Sequence, residues 1–433
     1  MNMGVLGLCH LGSVTAACLA SLGHRVVGID FDEPRVTELS KGMAPIFEPG
    51  LEGLIKGGLS SGNLRFSSTL NEARDIDVLW VAYDTPVDDD DNADTDFVIA
   101  QIERALLELS ADVVVLVSSQ LPVGSIRRLE QSAALNHKGR PPRIAYCPEN
   151  LRLGNAVPDF LHPNRIVVGV RSARDQELLH SLLSPITQSI EWMSVESAEM
   201  TKHAINAFLA TSVVFANEIA AICESVGADA KEVERGLKTE DRIGPRAYLA
   251  PGAAFAGGTL ARDVAFLNRT ARERRVITPL LSSILPSNDT HRRWVQRKLQ
   301  ACFADLSRIT VTVWGLSYKP GTGSVRRSLS VDLCDWMIRE GATIQVHDPM
   351  VASLPDRWCG TIRRFDTPIA AVHGADALII GTNWPMYRTT CSELLIQCTD
   401  RLVLLDPNRF VADLAATHGR LQYFAVGIPY KDP

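Results

Sequence analysis

The segment Gly7-Leu8-Cys9-His10-Leu11-Gly12 constrains the fold most. The apolar run Gly4 to Leu8 leads into it, and the helical pattern Gly12 to Leu22 leads out. Glycines here let a strand turn tightly into a helix and let that helix pack closely, the G-x-G-x-x-G geometry of a dinucleotide site. Cys9 stands in the second glycine position, where backbone normally approaches a pyrophosphate, so its side chain must point away or displace the ligand. A second apolar run, Arg25 to Asp30, ends in a carboxylate 23 residues beyond Gly7, suited to ribose hydroxyls. That acid favours NAD over NADP, whose 2′-phosphate it would repel; Arg35 nearby works the other way. Gly7, Cys9, Leu11, Gly12, Asp30 and Arg35 are therefore the candidate cofactor contacts.

Short apolar runs continue to alternate with helical patterns: Val78 to Ala82, Val113 to Ser118, Arg143 to Tyr146 and Arg165 to Val170 read as buried strands of a parallel sheet. From Ser197 to Ser225 the pattern becomes one long helix without Gly or Pro. Such a helix suits a connection between domains and a dimer face. Thr239 to Asp263 lacks regular periodicity, is interrupted by Gly and Pro, and reads as a long functional loop. Alternation resumes with Thr310 to Leu316, a helix from Ser328 to Arg339, Thr343 to His347, Ala377 to Gly381 and Leu402 to Leu405. The expected fold class is α/β, with two Rossmann-like doubly wound domains joined by a long central helix: residues 1–195, 196–292 and 293–433.

A chain of 433 residues with 46% hydrophobic and 22% charged residues has enough apolar material for several cores. Its formal net charge of −6 supplies no general basic field, so nucleic acid is not an expected partner. The 9 cysteines are odd in number and scattered, without metal-ligand spacing, as in a reduced cytoplasmic protein, and no metal is expected. No Lys or Arg precedes the apolar Gly4 to Leu22, which argues against a secretory signal. The densest apolar stretch, Val113 to Val117, is far short of a membrane span. Asp88 to Asp91 fits no calcium loop and reads as solvated surface. Thr85, in Tyr83-Asp84-Thr85-Pro86, and Ser119 and Gln120 follow strands, where ligands of open α/β sheets bind.

Several strings, in order along nearly the whole chain, resemble the UDP-glucose and GDP-mannose dehydrogenases. They are the run from Gly42 to Leu51 (GMAPIFEPGL), Cys147-Pro148-Glu149-Asn150-Leu151-Arg152-Leu153-Gly154, Ala198 to Ala210 with Asn217-Glu218, Asp241-Arg242-Ile243-Gly244, Pro251-Gly252, Arg262-Asp263, Gly315-Leu316-Ser317-Tyr318-Lys319-Pro320 with Arg326-Arg327-Ser328, and His347-Asp348-Pro349. The resemblance implies an N-terminal NAD domain, a C-terminal domain for the nucleotide of a UDP-linked hexose, and two hydride transfers that take the C6 alcohol to a carboxylate. It gives Lys202 and Asn206 the stabilisation of an oxyanion, Asp263 the orienting of a water or the part of a base, and Glu149 the part of the other candidate base, directly or through water. It adds Arg262 and Arg326 as further cofactor contacts. For the sugar nucleotide it adds Asn150, Leu151, Arg152, Arg242, Tyr248, Gly252, Phe255, Gly257 and Lys319, beside Glu149, Lys202 and Asn206. A homodimer or higher homo-oligomer is implied as well.

The departure falls at the nucleophile. The family's F-G-G-S-C-F-P-K-D stands here as Phe255-Ala256-Gly257-Gly258-Thr259-Leu260-Ala261-Arg262-Asp263, so Thr259 takes the place of the cysteine. Aligning the glycine pairs instead puts Leu260 there. A hydroxyl is a far weaker nucleophile than a thiolate. Gln120 likewise replaces a threonine and Leu153 a second glutamate. The expected product is therefore the uronic acid or only the aldehyde. The alternatives are an epimerase or dehydratase in which NAD is reduced and reoxidised within one cycle, and a nucleotide-sugar binding protein without catalysis.

Overall fold

The computed structural model describes residues 1–86, 93–137, 140–149, 151–256, 258–397, 402–415 and 421–429. Asn150, Gly257, Cys398 and the acidic run Asp88 to Asp91 lie outside the described residues.

The chain forms two compact units, Met1–Ile205 and Asn206–Pro433. The first contains β1 (Asn2–Leu6), β2 (Arg25–Ile29), β3 (Leu64–Ser67), β4 (Val78–Val81), β5 (Val114–Val117), β6 (Arg143–Tyr146), β7 (Ile166–Gly169) and β8 (Ile190–Met193). Its eight strands lie in the order β3-β2-β1-β4-β5-β6-β7-β8. All neighbours are parallel except β6 and β7, which meet in one antiparallel pairing, Tyr146 with Gly169. Strands β4 and β5 are buried at every residue, as a parallel sheet covered on both faces requires. Cores lie on both faces of the sheet, and the order reverses between β1 and β4, which opens a crevice at their carboxyl ends.

The second unit contains β9 (Thr310–Trp314), β10 (Thr343–His347), β11 (Ile362–Arg364), β12 (Ala377–Ile380), β13 (Leu402–Leu405) and β14 (Leu421–Phe424). These form an all-parallel sheet in the order β11-β10-β9-β12-β13-β14, again a doubly wound arrangement with its reversal beside the first strand. The expected α/β class with two doubly wound sheets and a long helix is the observed one.

Three readings of the sequence need correction. The first strand begins at Asn2 and ends at Leu6; Gly7 has φ +90° and already belongs to the turn. The loop expected to reach Asp263 ends earlier, because Thr259–Glu273 is a helix. The long helix Val195–Val226 does contain a stretch long and apolar enough, by length and composition, to cross a membrane. Two of its charged or ionisable residues, however, are buried and bonded to protein: Glu199 accepts from the Gly124 and Ile126 amides at 2.7 and 3.0 Å, and His203 meets the Leu121 carbonyl at 2.9 Å. That is how a core helix of a folded domain is held.

Candidate active site

In the first unit the cofactor turn is built from steric necessity. A Cβ on Gly7 would lie 2.7 Å from the Tyr83 ring, and one on Gly12 would lie 1.7 Å from the Gly7 carbonyl oxygen. Helix His10–Ser21 can therefore enter close behind β1 only with glycine at position 12. Cys9 is the residue before that helix, in ordinary extended backbone, so its place needs no glycine conformation. Its thiol is half-buried and pushed up to about 11, by burial first and then by the carboxylates of Asp84, Asp30 and Asp32, with Arg35 opposing. It is a neutral group at the turn.

Asp30 is buried at the end of β2 and braces this turn: one oxygen accepts the Leu8 amide at 2.7 Å and the Arg35 guanidinium at 2.8 Å, the other the Asp32 amide at 3.0 Å. Two glycine cradles that a Cβ would fill, a helix start and a carboxylate at the next strand end fit NAD, whose pyrophosphate and ribose need those features. Thr85 joins the loops after β4 and β5 by donating to the Gln120 carbonyl at 2.8 Å. Ser119 is fully buried, while Leu11 is half-buried on the helix.

The segment after β6 carries the second group. The Lys202 ammonium, on the long helix, donates to the Glu149 carbonyl oxygen at 2.7 Å, and one Glu149 carboxylate oxygen accepts the Leu151 amide at 2.7 Å. Burial raises the Glu149 carboxyl above the usual range, with the Lys202 charge and the Leu151 bond opposing. Arg152 is engaged by Asp159 through two bonds of 2.9 and 2.7 Å. Cys147, in the same segment, is buried and its thiol is pushed up to about 12 by burial, so it is not poised as a thiolate. An apolar cavity beside it is lined by Trp80, Phe160 and Leu151.

In the second unit Asn206 donates to the Asp263 carboxylate, both buried. Thr259 is the first residue of the helix that carries Arg262 and Asp263, and its side chain is exposed. Arg262 has only 11% of its side chain exposed and lies 3.9 Å from Asp263. The preceding loop is clamped by side chains far away in sequence. Gly252 donates to Asn217 and accepts from His291, at 3.0 and 2.8 Å, Ala253 donates to Asn408, and Asn288 both accepts from and donates to the Phe255 backbone. Of the other candidates, Arg242 is 87% exposed and bonded to Glu240, Tyr248 and Arg326 are exposed, and Lys319 is half-buried against the Tyr318 ring.

Sequence reasoning missed two features here. Arg327, next to the chosen Arg326, has φ +58° and packs its guanidinium so tightly on Gly258 that a Cβ there would lie 1.7 Å from it. Asp348 repeats the bracing by Asp30: it accepts the Leu316 and Ser317 amides at 2.8 and 3.0 Å, beside Gly315 at φ +96°. The matching Gly-x-Ser turn and the aspartate ending the next strand were a legible signal.

The matches with known proteins agree along the chain. Residues 1–187 match the NAD binding domain of the UDP-glucose/GDP-mannose dehydrogenase family, residues 196–290 its central domain and residues 312–413 its UDP binding domain. The UDP-glucose 6-dehydrogenase of Pseudomonas aeruginosa is 34% identical over 90% of this chain and 89% of its own, and that of Rhizobium meliloti 32% over 99% and 100%. Among solved structures, a UDP-glucose dehydrogenase from Pyrobaculum islandicum superposes with a TM-score of 0.85 at 29% identity, covering 99% of this chain and 98% of that one. With its NAD-fitted turn and all three parts of the family in order, the chain belongs to the UDP-glucose/GDP-mannose dehydrogenase family and is an NAD-dependent nucleotide-sugar dehydrogenase.

Proposed function

We propose that the chain oxidises C6 of a UDP-linked hexose, UDP-glucose first among them, and reaches the uronic acid with water in place of the family's thiol. The observation that carries this reading is the Lys202 ammonium held 2.7 Å from the Glu149 carbonyl, beside a carboxyl whose affinity for protons is raised. NAD, held at the turn of Gly7, Gly12 and Asp30, would supply the hydride acceptor for each oxidation. Glu149 takes the proton of the C6 hydroxyl as the hydride leaves, and the Lys202 charge stabilises the developing alkoxide. The aldehyde adds water, and loss of a second hydride and a proton from that hydrate gives the acid. The Asn206 amide donates to the Asp263 carboxylate, which fixes its orientation. Exposed Thr259 supplies no thiolate, and Cys147 is too reluctant to ionise to replace one.

Residues 1–195, 196–292 and 293–433 serve in this reading as the NAD domain, the central helical domain and the UDP domain. The long helix is the dimer face, for Phe208, Phe215 and Ile222 recur on it at seven-residue spacing and are 70%, 45% and 56% exposed. A cytoplasmic location accords with free thiols at all the described cysteines.

The test is NADH formed per sugar consumed across UDP-, GDP- and TDP-hexoses, with product mass read in parallel. Two NADH and a product in which one oxygen has replaced two hydrogens are expected with UDP-glucose. One NADH with loss of two hydrogens would mean that oxidation stops at the aldehyde. Tight binding without NADH would overturn net oxidation in favour of a cycle that returns the hydride, or of binding alone.

A further inference from the structure

Glu48 lies in the run GMAPIFEPGL, where the apolar and charged residues have exchanged their usual places. Phe47 is 85% exposed, whereas the Glu48 side chain is 0% exposed. A buried carboxylate is costly unless its lone pairs are used, and here three donors use them. One oxygen meets His10 Nε2 at 2.8 Å and accepts the Gly154 amide at 2.8 Å; the other accepts the Ala156 amide at 2.8 Å. These partners belong to two different segments. His10 is the first residue of the helix that follows the cofactor turn, with Cys9 and Leu11 as its neighbours. Gly154, at φ +88°, and Ala156 continue the segment that holds Glu149, Leu151 and Arg152. Ala156 begins helix Ala156–Leu161, whose preceding Asn155 makes no side-chain cap, so Glu48 caps that helix from outside.

We propose that Glu48 is a positioning residue that couples the dinucleotide turn to the sugar-facing segment after β6, so that cofactor binding orders that segment. The inference rests on the reading of those two segments as cofactor and substrate contacts. A ligand against Cys9–Leu11 fixes the first turn of the helix and with it the His10 ring. That ring holds the carboxylate, and the carboxylate holds the Gly154 and Ala156 amides. The link is a single rigid side chain touching both ends, the kind of element through which one site biases another. Glu48→Leu fills the space without the link, because it accepts nothing, whereas a glutamine could keep its one amide oxygen on both His10 and Gly154.

Amide hydrogen exchange of the full chain, with and without NADH, tests this without depending on which sugar is the substrate. In the wild-type protein NADH should slow exchange both in the turn and, about five-fold or more, at Gly154 and Ala156. In Glu48→Leu, NADH should still protect the turn while the response at Gly154 and Ala156 disappears. The second variant, Glu48→Leu with Asn155→Ser, returns a side-chain cap to helix Ala156–Leu161 but not the link to His10. Its resting protection should recover and its response to NADH should not. With UDP-glucose as substrate, Glu48→Leu should raise the KM for NAD and for the sugar more than it lowers kcat. No NADH response at Gly154 and Ala156 in the wild type overturns the coupling, as does a response restored by the serine cap alone. Failure of every nucleotide sugar as substrate, with the exchange pattern as expected, would instead count against the proposed substrate and leave the coupling standing.

Discussion

The side-chain amide of Asn206 donates to the carboxylate of Asp263, and the two are 6% and 0% exposed. Residues 57 apart in the chain are thus locked together in the interior. Asp263→Ala would leave the Asn206 amide buried without its acceptor. Urea denaturation should show a loss of about 1–3 kcal/mol, the cost of an unsatisfied buried polar group. Asp263→Asn, which preserves an acceptor oxygen, should lose less; equal losses would mean that the bond does not matter.

The pH dependence should carry the mark of Glu149. Its carboxyl is raised by burial, with Lys202 opposing. Hydride transfer that needs the carboxylate should therefore rise with pH through an apparent pKa above the ordinary carboxylate range. Glu149→Gln should remove that limb, and a partly active Lys202→Met should move it to still higher pH. The folded protein holds this proton more tightly than the unfolded chain does. The contribution of Glu149 to stability is therefore complete below its unfolded pKa and is lost as pH rises through the folded one. A limb at ordinary carboxylate pH would assign the base elsewhere.

Thr259 occupies the first turn of a helix, beside the Arg327 guanidinium that lies on Gly258. A thiol placed there should ionise readily, since a helix start and a cation both favour the anion. Thr259→Cys should react with iodoacetamide near neutral pH and should speed the second oxidation relative to the first. Cys147, pushed up to about 12, should stay unlabelled in the same reaction. Rapid labelling of Cys147 by mass spectrometry would contradict its burial.

Gly12→Ala should be badly tolerated, for its Cβ would sit 1.7 Å from the Gly7 carbonyl oxygen. Moving the helix away from β1 should cost roughly 1–3 kcal/mol and weaken NAD binding. Calorimetry of unfolding and of NAD titration reads both. Gly53→Ala, inside helix Leu51–Ser61 where a Cβ meets nothing within 4 Å, is the control: NAD binding should be unchanged and stability equal or higher by about 0.5–1 kcal/mol.

The exposed apolar positions of the long helix predict its assembly. Phe208→Glu with Phe215→Glu should turn an oligomer into a monomer by light scattering, because charges cannot be buried unpaired in an apolar interface. An unchanged mass would exclude this helix face.

Local chemistry made much of this protein readable from its sequence. Apolar runs such as Val78–Val81 have one stable use, as strands buried on both faces, and glycines at positions 7 and 12 with Asp30 beyond them specify a dinucleotide turn by short-range sterics. The weaker strands β3, β8, β11 and β14 were not legible, since none is buried along its whole length and sheet pairing holds them in place. The similarity of Lys202, Asn206 and Asp263 to a family was visible, but not the bonds they make. Hydrogen bonds between Glu48 and Gly154, Asn206 and Asp263, or Asn288 and Phe255 join groups that only the folded chain brings within reach. The sequence by itself determined two doubly wound sheets, an NAD turn and the absence of the family's thiol at Thr259, because each depends on residue type at neighbouring positions. Tertiary structure alone decided which carboxylates are buried and what holds them, because desolvation and partner distance are properties of the packed interior.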